Sequence, residues 1–254
     1  MKYSSISELF TAIANSIRGK TGSSDPIVAE DFPEAIDGID AGGGENPLDY
    51  ATSINSMFQG AQFAEPTDIT ISFGSKATGL NLVPPGGLQS VFYRASNVRS
   101  IKVAYGGSAY DTSMATFVEN GKKETALEKV DLSGTLDKIR PTGLNRVFYN
   151  RAGLREIVGE FDLSQMSASN SATNAFVTCE ALETIRFKEG TIICDLSFAY
   201  SPKLTDETIQ NIIDGLADLT GGTTQTLTLH ANVGAKLTDA QKTAASAKNW
   251  TISY

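Results

Sequence analysis

The feature that most constrains the fold of this chain is an apolar pattern that recurs along its middle. A phenylalanine is followed six residues later by Leu or Val and nine residues later by Ile, and two copies add an apolar residue at eleven. Three copies share this spacing without a gap, and they begin at Phe92, Phe148 and Phe176. One such unit cannot bury its own apolar side, so the pattern predicts that successive copies stack.

Three further copies fit when residues are inserted. The copy that begins at Phe58 needs two extra residues to bring Ile69 into register, and the copy at Phe117 needs four to bring Leu127 into register. Phe198 begins a last copy with Leu204. Successive phenylalanines are then 22 to 34 residues apart, which is the range of solenoid repeats.

The stacked copies predict an α/β solenoid, an irregular leucine-rich-repeat-like stack of short strands over residues 50–204. In this stack each phenylalanine contacts the next, and each short alternating strand lies beside its neighbour. Insertions of different length are expected as loops on one face. The alternative is chance periodicity in an ordinary α+β domain.

The two ends of the chain follow different patterns. Residues 1–40 predict two short helices, the first with a capping box at Ser5 and Glu8. Residues 41–49, which include AGGGENP, predict a glycine-rich linker. Residues 205–254 predict an α/β cap of helix, strand, helix and strand, in which Thr205 and Thr238 begin the helices and Gly221 ends the first. Such a cap would cover the open end of the stack.

Composition excludes several classes of function. The formal net charge of −8 and the pI of about 4.8 argue against a duplex-DNA partner, because such binders neutralise phosphates with Lys and Arg. No stretch approaches the roughly 18 to 20 apolar residues that span a bilayer, so no membrane insertion is expected. The first residues, MKYSSISELF, lack the features of a secretory signal, so we expect any route to the cell exterior to be on a particle.

No pattern indicates catalysis, a metal site or a cofactor. The sole histidine, His230, is expected at the solvent edge of a strand. Cys179, Cys194 and His230 contain no closely spaced ligand pair for zinc, and the two thiols are expected to be reduced and part-buried, with a disulfide between neighbouring repeats as the alternative. We therefore expect a non-enzymatic protein, although two carboxylates from separate repeats could form a glycosidase pair.

Candidate binding residues are the outward positions of the repeat strands. They are Thr70, Lys102, Asp131, Val158 and Arg186, with Glu156 one step earlier in its strand. Tyr93 and Tyr149 follow the repeat phenylalanine in two copies, and their amphipathic rings suit sugar or protein contacts. The alternatives are an ordinary solvated face for the strand positions and a wedge between repeats for the tyrosines.

Three segments carry a resemblance to known families. The repeat core resembles the irregular bacterial leucine-rich repeats of BspA-like surface antigens, through VFYRASNVRSIKV, VFYNRAGLREI and AFVTCEALETIRF. The N-terminal segment, from ISELFTAIANSIRGKTG to FPEAIDGI, is similar to a module at the start of tail-associated proteins of phages and prophages of gut Firmicutes. The segment from LTDETIQNIIDGL to KNWTISY is similar to the one that follows such repeats in the same proteins.

This resemblance implies a virion structural protein of a phage tail, baseplate or fibre. The N-terminal module would contact other virion proteins, and the repeats would contact a host cell-surface glycan or protein. A homo-oligomer is expected, with a trimer favoured. The alternatives are a bacterial surface adhesin with the same repeats and, less favoured, a glycan-degrading enzyme.

Overall fold

The structure is a computed structural model that describes residues 47–51, 53–75, 88–166 and 172–254. The described residues form a mixed α/β fold with parallel sheets and few helices. A 3-10 helix covers Pro47–Tyr50. The strands are β1 (Gln62–Phe73), β2 (Ser96–Tyr105), β3 (Tyr110–Ser113), β4 (Lys129–Asp131), β5 (Ile139–Gly143), β6 (Glu156–Phe161), β7 (Thr184–Phe187), β8 (Leu196–Phe198), β9 (Gln225–Leu229) and β10 (Trp250–Ser253). The α-helices are α1 (Asp206–Gly215), α2 (Ala231–Gly234) and α3 (Asp239–Ala247).

The largest sheet is parallel and contains the repeat strands in the order β1-β2-β4-β6-β7. Its inner row is formed by Ile69, Ile101, Val130 and Ile157, which are direct register partners and are at most 2 % exposed. The two-residue insertion predicted after Phe58 is confirmed, because Ile69 pairs with Ile101. Burial of one such side chain stabilises the fold by about 1.5–3 kcal/mol.

A second parallel ladder runs through the turns that precede the strands. The N–H of Phe58 donates to Val91 at 2.7 Å, that of Val118 to Val147 at 2.9 Å, and that of Phe148 to Ala175 at 3.0 Å. Register-equivalent residues in four of these turns share a left-handed backbone with φ of 56 to 58°, and they are Ser56, Ser90, Thr116 and Arg146. Non-glycine residues seldom adopt this conformation, so its recurrence shows that the turns have one common geometry.

The rings of the repeat phenylalanines stack, as predicted. Centroids lie 5.1 Å apart for Phe58 and Phe92, 5.6 Å for Phe148 and Phe176, and 4.6 Å for Phe176 and Phe198. Interplanar angles of 2°, 15° and 22° make these contacts parallel. The stacked rings and the inner strand row belong to one continuous core.

The predicted register at Phe117 is wrong by one residue. Phe92 donates its N–H to the carbonyl of Phe117 at 2.8 Å, so the parallel-ladder partner of Phe92 is Val118. Leu127 lies nine residues after Val118, which makes the insertion three residues rather than four. Phe117 remains fully buried and meets Phe92 edge to face, with centroids 5.8 Å apart.

Two smaller sheets extend the turn ladder. Strands β3 and β5 pair in parallel within the loops of two copies, which the apolar pattern did not predict. Strands β8, β9 and β10 form a three-stranded parallel sheet, and a bridge from Ala172 to Leu196 joins the ladder to β8. The C-terminal strands are therefore connected to the turn ladder by parallel pairing.

In residues 205–254 the predicted order of helix, strand, helix and strand is confirmed, and so are the two predicted helix starts. Thr205 caps α1, and Thr238 and Gln241 form the predicted capping box of α3. The predicted end of the first helix near Gly221 is wrong, because α1 ends at Gly215 and Leu216 is extended. Leu216 leaves the helix to form a parallel bridge with Ile192. The short helix α2 was not predicted.

Helix α1 covers the last strand of the large sheet. The side chain of Asn211 accepts from the N–H of Phe187 at 2.7 Å and donates to its carbonyl at 3.1 Å. Thr205 and Thr208 both donate to the carbonyl of Glu183. These bonds occupy backbone groups of β7 and of the residue before it that would otherwise be open to another strand.

The start of the described chain is packed against β1. Leu48 is 2 % exposed, its carbonyl accepts from Gly74 at 2.8 Å, and Asp49 accepts from Ser75 at 2.6 Å. Leu48 of the predicted linker therefore belongs to the packed core. The predicted helical module at residues 1–40 and linker residues 41–46 lie outside the described residues. Within the described ranges, no helix has the length and apolar content to cross a membrane.

Candidate functional site

Three of the predicted binding residues lie together on the outer face of the large sheet. Lys102 on β2 is the register partner of Asp131 on β4, and Lys129 on β4 is the partner of Glu156 on β6. Lys102 Nζ lies 3.8 Å from Asp131 Oδ2, and Lys129 Nζ lies 2.7 Å from Glu156 Oε2. Each of these charges therefore has an opposite charge on the neighbouring strand.

Arg186 lies apart from these three residues. The register shifts between Glu156 and Glu160, so Arg186 pairs with Glu160 and not with Val158 as the predicted row requires. Its guanidinium contacts Glu207 of α1 at 3.2 Å. Exposed ion pairs of this kind stabilise a fold by about 0–1 kcal/mol each. The charged residues of the predicted strand face are thus paired with one another or with neighbouring charges, as on an ordinary solvated surface.

Tyr93 and Tyr149 lie on the turn ladder, away from the strand face. They are the two register neighbours of Glu119, one on each side. Each ring contacts an arginine, with the Arg94 Cζ 4.9 Å from the Tyr93 centroid and the Arg146 Cζ 4.2 Å from the Tyr149 centroid. Cation–π contacts of this kind hold a guanidinium in a defined position. We call Tyr93, Arg94, Glu119, Arg146 and Tyr149 the turn-face cluster.

Glu119 is the centre of the turn-face cluster. Its side chain is 3 % exposed and its Oε1 lies 2.7 Å from Arg146 Nη2. Its other oxygen, Oε2, and the Nε of Arg146 are both buried without a hydrogen-bond partner among the described residues. Burial raises the pKa of Glu119, while the charges of Arg146 and Arg94 oppose that rise. A buried carboxylate with an unused oxygen is uncommon and marks this cluster as a candidate functional site.

The two tyrosines of the cluster were predicted from the sequence, but Arg94, Glu119 and Arg146 were not. The one-residue register error explains the omission, because aligning Phe117 with Phe92 places Val118 beside Tyr93. The correct register places Glu119 there. The cluster presents two guanidinium groups and two phenols, which donate hydrogen bonds and stack on planar groups. This chemistry suits non-covalent recognition.

The remaining nucleophilic and titratable residues lie elsewhere. Cys179 and Cys194 are separate buried thiols, and burial raises the pKa of Cys179 to about 12 and that of Cys194 to about 11. His230 lies one residue beyond β9, where its Nδ1 accepts from the N–H of Asn232 at 3.1 Å, so the predicted strand position is wrong by one residue. Across the described ranges, no group of three or more His, Cys, Asp or Glu residues could hold a metal ion.

No protein-family model matches this sequence, and no curated protein or solved structure matches it.

Proposed function

We propose that this chain is a non-enzymatic structural protein of a phage virion, placed in the tail, baseplate or fibre. In this proposal the stacked turns and strands are an irregular leucine-rich-repeat-like solenoid between an N-terminal docking module and an α/β cap. The parallel order of the repeat strands and the recurrent turn geometry support the solenoid. The resemblance of the three segments supports the virion context.

The proposed binding role rests on the turn-face cluster. Its residues come from three consecutive turns, with Tyr93 in the first, Glu119 in the second and Tyr149 in the third. No single repeat contains the site, so stacking creates it. Surfaces formed across neighbouring repeats are how solenoid proteins bind their partners.

The charge of the cluster indicates the chemistry of the partner. Two guanidinium groups surround one carboxylate in a chain whose formal net charge is −8. Arginine held against an aromatic ring presents its donors in a fixed fork that fits carboxylate or phosphate groups. We infer that the turn face contacts an acidic group on a host cell-surface glycan or protein.

Assembly is proposed to occur through the N-terminal module. Residues 1–40 would bind other virion proteins and bring copies of the chain together, with a trimer as the favoured state. Light scattering coupled to size-exclusion chromatography measures the state directly. A trimer of the full chain supports this part of the proposal, and a monomer at micromolar concentration contradicts it.

The binding role is tested with fluorescently labelled protein and intact cells of the host bacterium. Arg94→Gln removes one exposed cation from the turn-face cluster, and Lys102→Gln removes one from the strand face as a matched control. Loss of a charge-assisted hydrogen bond costs about 1.5–3 kcal/mol, which corresponds to about tenfold or more in the dissociation constant.

We expect Arg94→Gln and Arg146→Gln to weaken binding by at least that factor, and Lys102→Gln to leave it unchanged. Equal effects of Arg94→Gln and Lys102→Gln would show that the turn face is not the contact. Unaltered binding by both arginine variants would remove the cluster from the proposal.

A further inference from the structure

An open groove lies near the C-terminal end of the stack, and one of its lining residues, Ala152, follows Tyr149 of the turn-face cluster by three residues. Its volume is about 660 Å³. Three of its lining residues are Ala152, Ala181 and Ala199, which come from three successive copies of the repeat. Because an alanine side chain is a single methyl group, larger residues at these positions would fill the space that forms the groove.

An exposed aromatic ring borders this groove. Tyr200 lines it and is 52 % exposed. Among the described residues, Tyr200 and Tyr254 are the large hydrophobic side chains that stay exposed, and all the phenylalanines of the described repeats are buried. A phenol ring that is apolar on its face and polar at its tip is suited to contact an amphipathic ligand. The position of this exposed ring at the groove therefore indicates a ligand-binding surface.

Polar groups of several kinds surround the ring. Glu180, Lys203 and His230 also line the groove. Because His230 Nδ1 accepts from the N–H of Asn232, the neutral imidazole carries its proton on Nε2, which is a donor. Glu180 forms an ion pair with Lys123 at 2.6 Å, and a carboxylate accepts several hydrogen bonds at once. The groove thus offers donors, an acceptor and a stacking surface.

We propose that this groove binds a saccharide. One sugar ring stacks its C–H face on Tyr200, and its hydroxyl groups accept from Lys203 and His230 and donate to Glu180. Ligand sites of this type combine an apolar contact surface with a few placed polar groups. The mixed signs of Glu180 and Lys203 disfavour a simple anion as the ligand.

A peptide is the less favoured ligand. Extended peptides bind by adding a strand to a free sheet edge. The N–H of Ala152, which lines the groove, already donates to Glu124 at 2.8 Å. Next to the lining residue Glu180, the carbonyl of Cys179 already accepts from Ser201 at 3.1 Å. The groove shares no residue with the turn-face cluster, so this proposal does not depend on the role of that cluster.

Amide chemical-shift mapping on the full chain tests the saccharide proposal. The probes are the methyl glycosides of glucose, galactose, N-acetylglucosamine and rhamnose, with inorganic phosphate and a proline-rich peptide in separate titrations. We expect at least one glycoside to shift the amides of Ala181, Tyr200 and His230. Tyr200→Ala should then weaken the affinity about tenfold or more, whereas Tyr254→Ala, which removes the other exposed tyrosine, should not.

A second variant separates ligand loss from unfolding. Ala181→Phe fills the groove and should abolish the glycoside shifts while the dispersion of all other amide signals is kept. Absence of shifts with every glycoside, or shifts that persist in Tyr200→Ala and Ala181→Phe, would overturn the proposal. Shifts at the groove with phosphate or peptide alone would reject the saccharide as the ligand.

Discussion

Replacement of Arg151 should reveal how strongly a buried side chain ties the turns together. Arg151 is fully buried, and its guanidinium donates to the carbonyls of Val118, Ala95 and Phe92 and to the carboxylate of Glu124. The Nη1 to Glu124 Oε2 distance is 2.7 Å. Burial lowers the pKa of Arg151, and the hydrogen bond that Arg151 donates to Glu124 opposes this effect. One side chain thus joins three successive turns.

The expected loss in the free energy of unfolding follows from the polar groups that would no longer contact Arg151. Arg151→Met keeps an unbranched apolar stem but removes the cation that pairs with Glu124 and the side-chain donor to three carbonyl groups. The carbonyls of Phe92 and Ala95 keep bonds from Ala95 N–H and Asn120, so the main loss is the countercharge of Glu124. Removing one partner of a buried ion pair costs about 3–5 kcal/mol. For a chain of this size each kcal/mol lowers the melting temperature by about 2–4 °C, so the expected fall is about 6–20 °C.

Urea unfolding followed by far-ultraviolet circular dichroism measures this cost. Arg155→Met is the matched control, since Arg155 is exposed and lies four residues further along the chain. We expect the control to change the free energy of unfolding by less than about 0.5 kcal/mol. The double variant Arg151→Met/Glu124→Gln should recover part of the loss, because it no longer buries an uncompensated carboxylate. A loss below about 1 kcal/mol for Arg151→Met would refute the reasoning.

Three further predictions concern the core, the turn-face cluster and the thiols. Phe148→Ala removes a fully buried ring from the phenylalanine stack and should lower the free energy of unfolding by about 3–5 kcal/mol in urea titrations, and an unchanged midpoint would contradict the stacked core. Because burial raises the pKa of Glu119, the folded state loses stability as pH rises through that pKa. Glu119→Gln should therefore match the natural chain at about pH 3 and be at least as stable at about pH 7 in thermal melts, and a clear loss at the higher pH would show that the Arg146 pair outweighs burial. Cys179 and Cys194 should react with a thiol reagent at about pH 8 only after unfolding, since both are buried with raised pKa values, and fast reaction of the native protein would contradict their placement.

The repeat pattern predicted much of the fold, because an apolar residue on the inner face of a strand has few alternatives. A shift of one residue would turn every inner side chain of a strand outward. This constraint placed Ile69 beside Ile101 despite the two-residue insertion. It failed at Phe117, where Val118 is equally buried and either residue could occupy the inward position. The backbone hydrogen bonds select Val118 as the partner of Phe92, and the apolar pattern contains no information about these bonds.

The elements that were missed depend on contacts distant in sequence. The end of α1 was expected at the glycines, but pairing of Leu216 with Ile192 draws the chain out of the helix earlier. Strand β3 has the sequence YDTS, and strand β5 contains Pro141, so neither resembles an ordinary apolar strand. Both form because the stacked turns hold them side by side. Tertiary structure here overrides local preference.

In the candidate site, too, features set by alternation along one strand were predicted, and features set by contacts distant in sequence were not. Lys102, Asp131 and Glu156 were predicted as outward strand positions, since alternation along a strand fixes the face of each residue. Their mutual ion pairing was not predicted, because it depends on which strands are adjacent. The turn-face cluster could not be found without the corrected register, which places Glu119 between the two tyrosines.

A mass-spectrometric inventory of purified phage particles from the source organism tests the central claim most directly. The proposal predicts that this chain is present in the particles at a fixed stoichiometry to the major tail protein. Its absence from particles that contain the other tail proteins would contradict a virion role and would favour a surface adhesin with the same repeats.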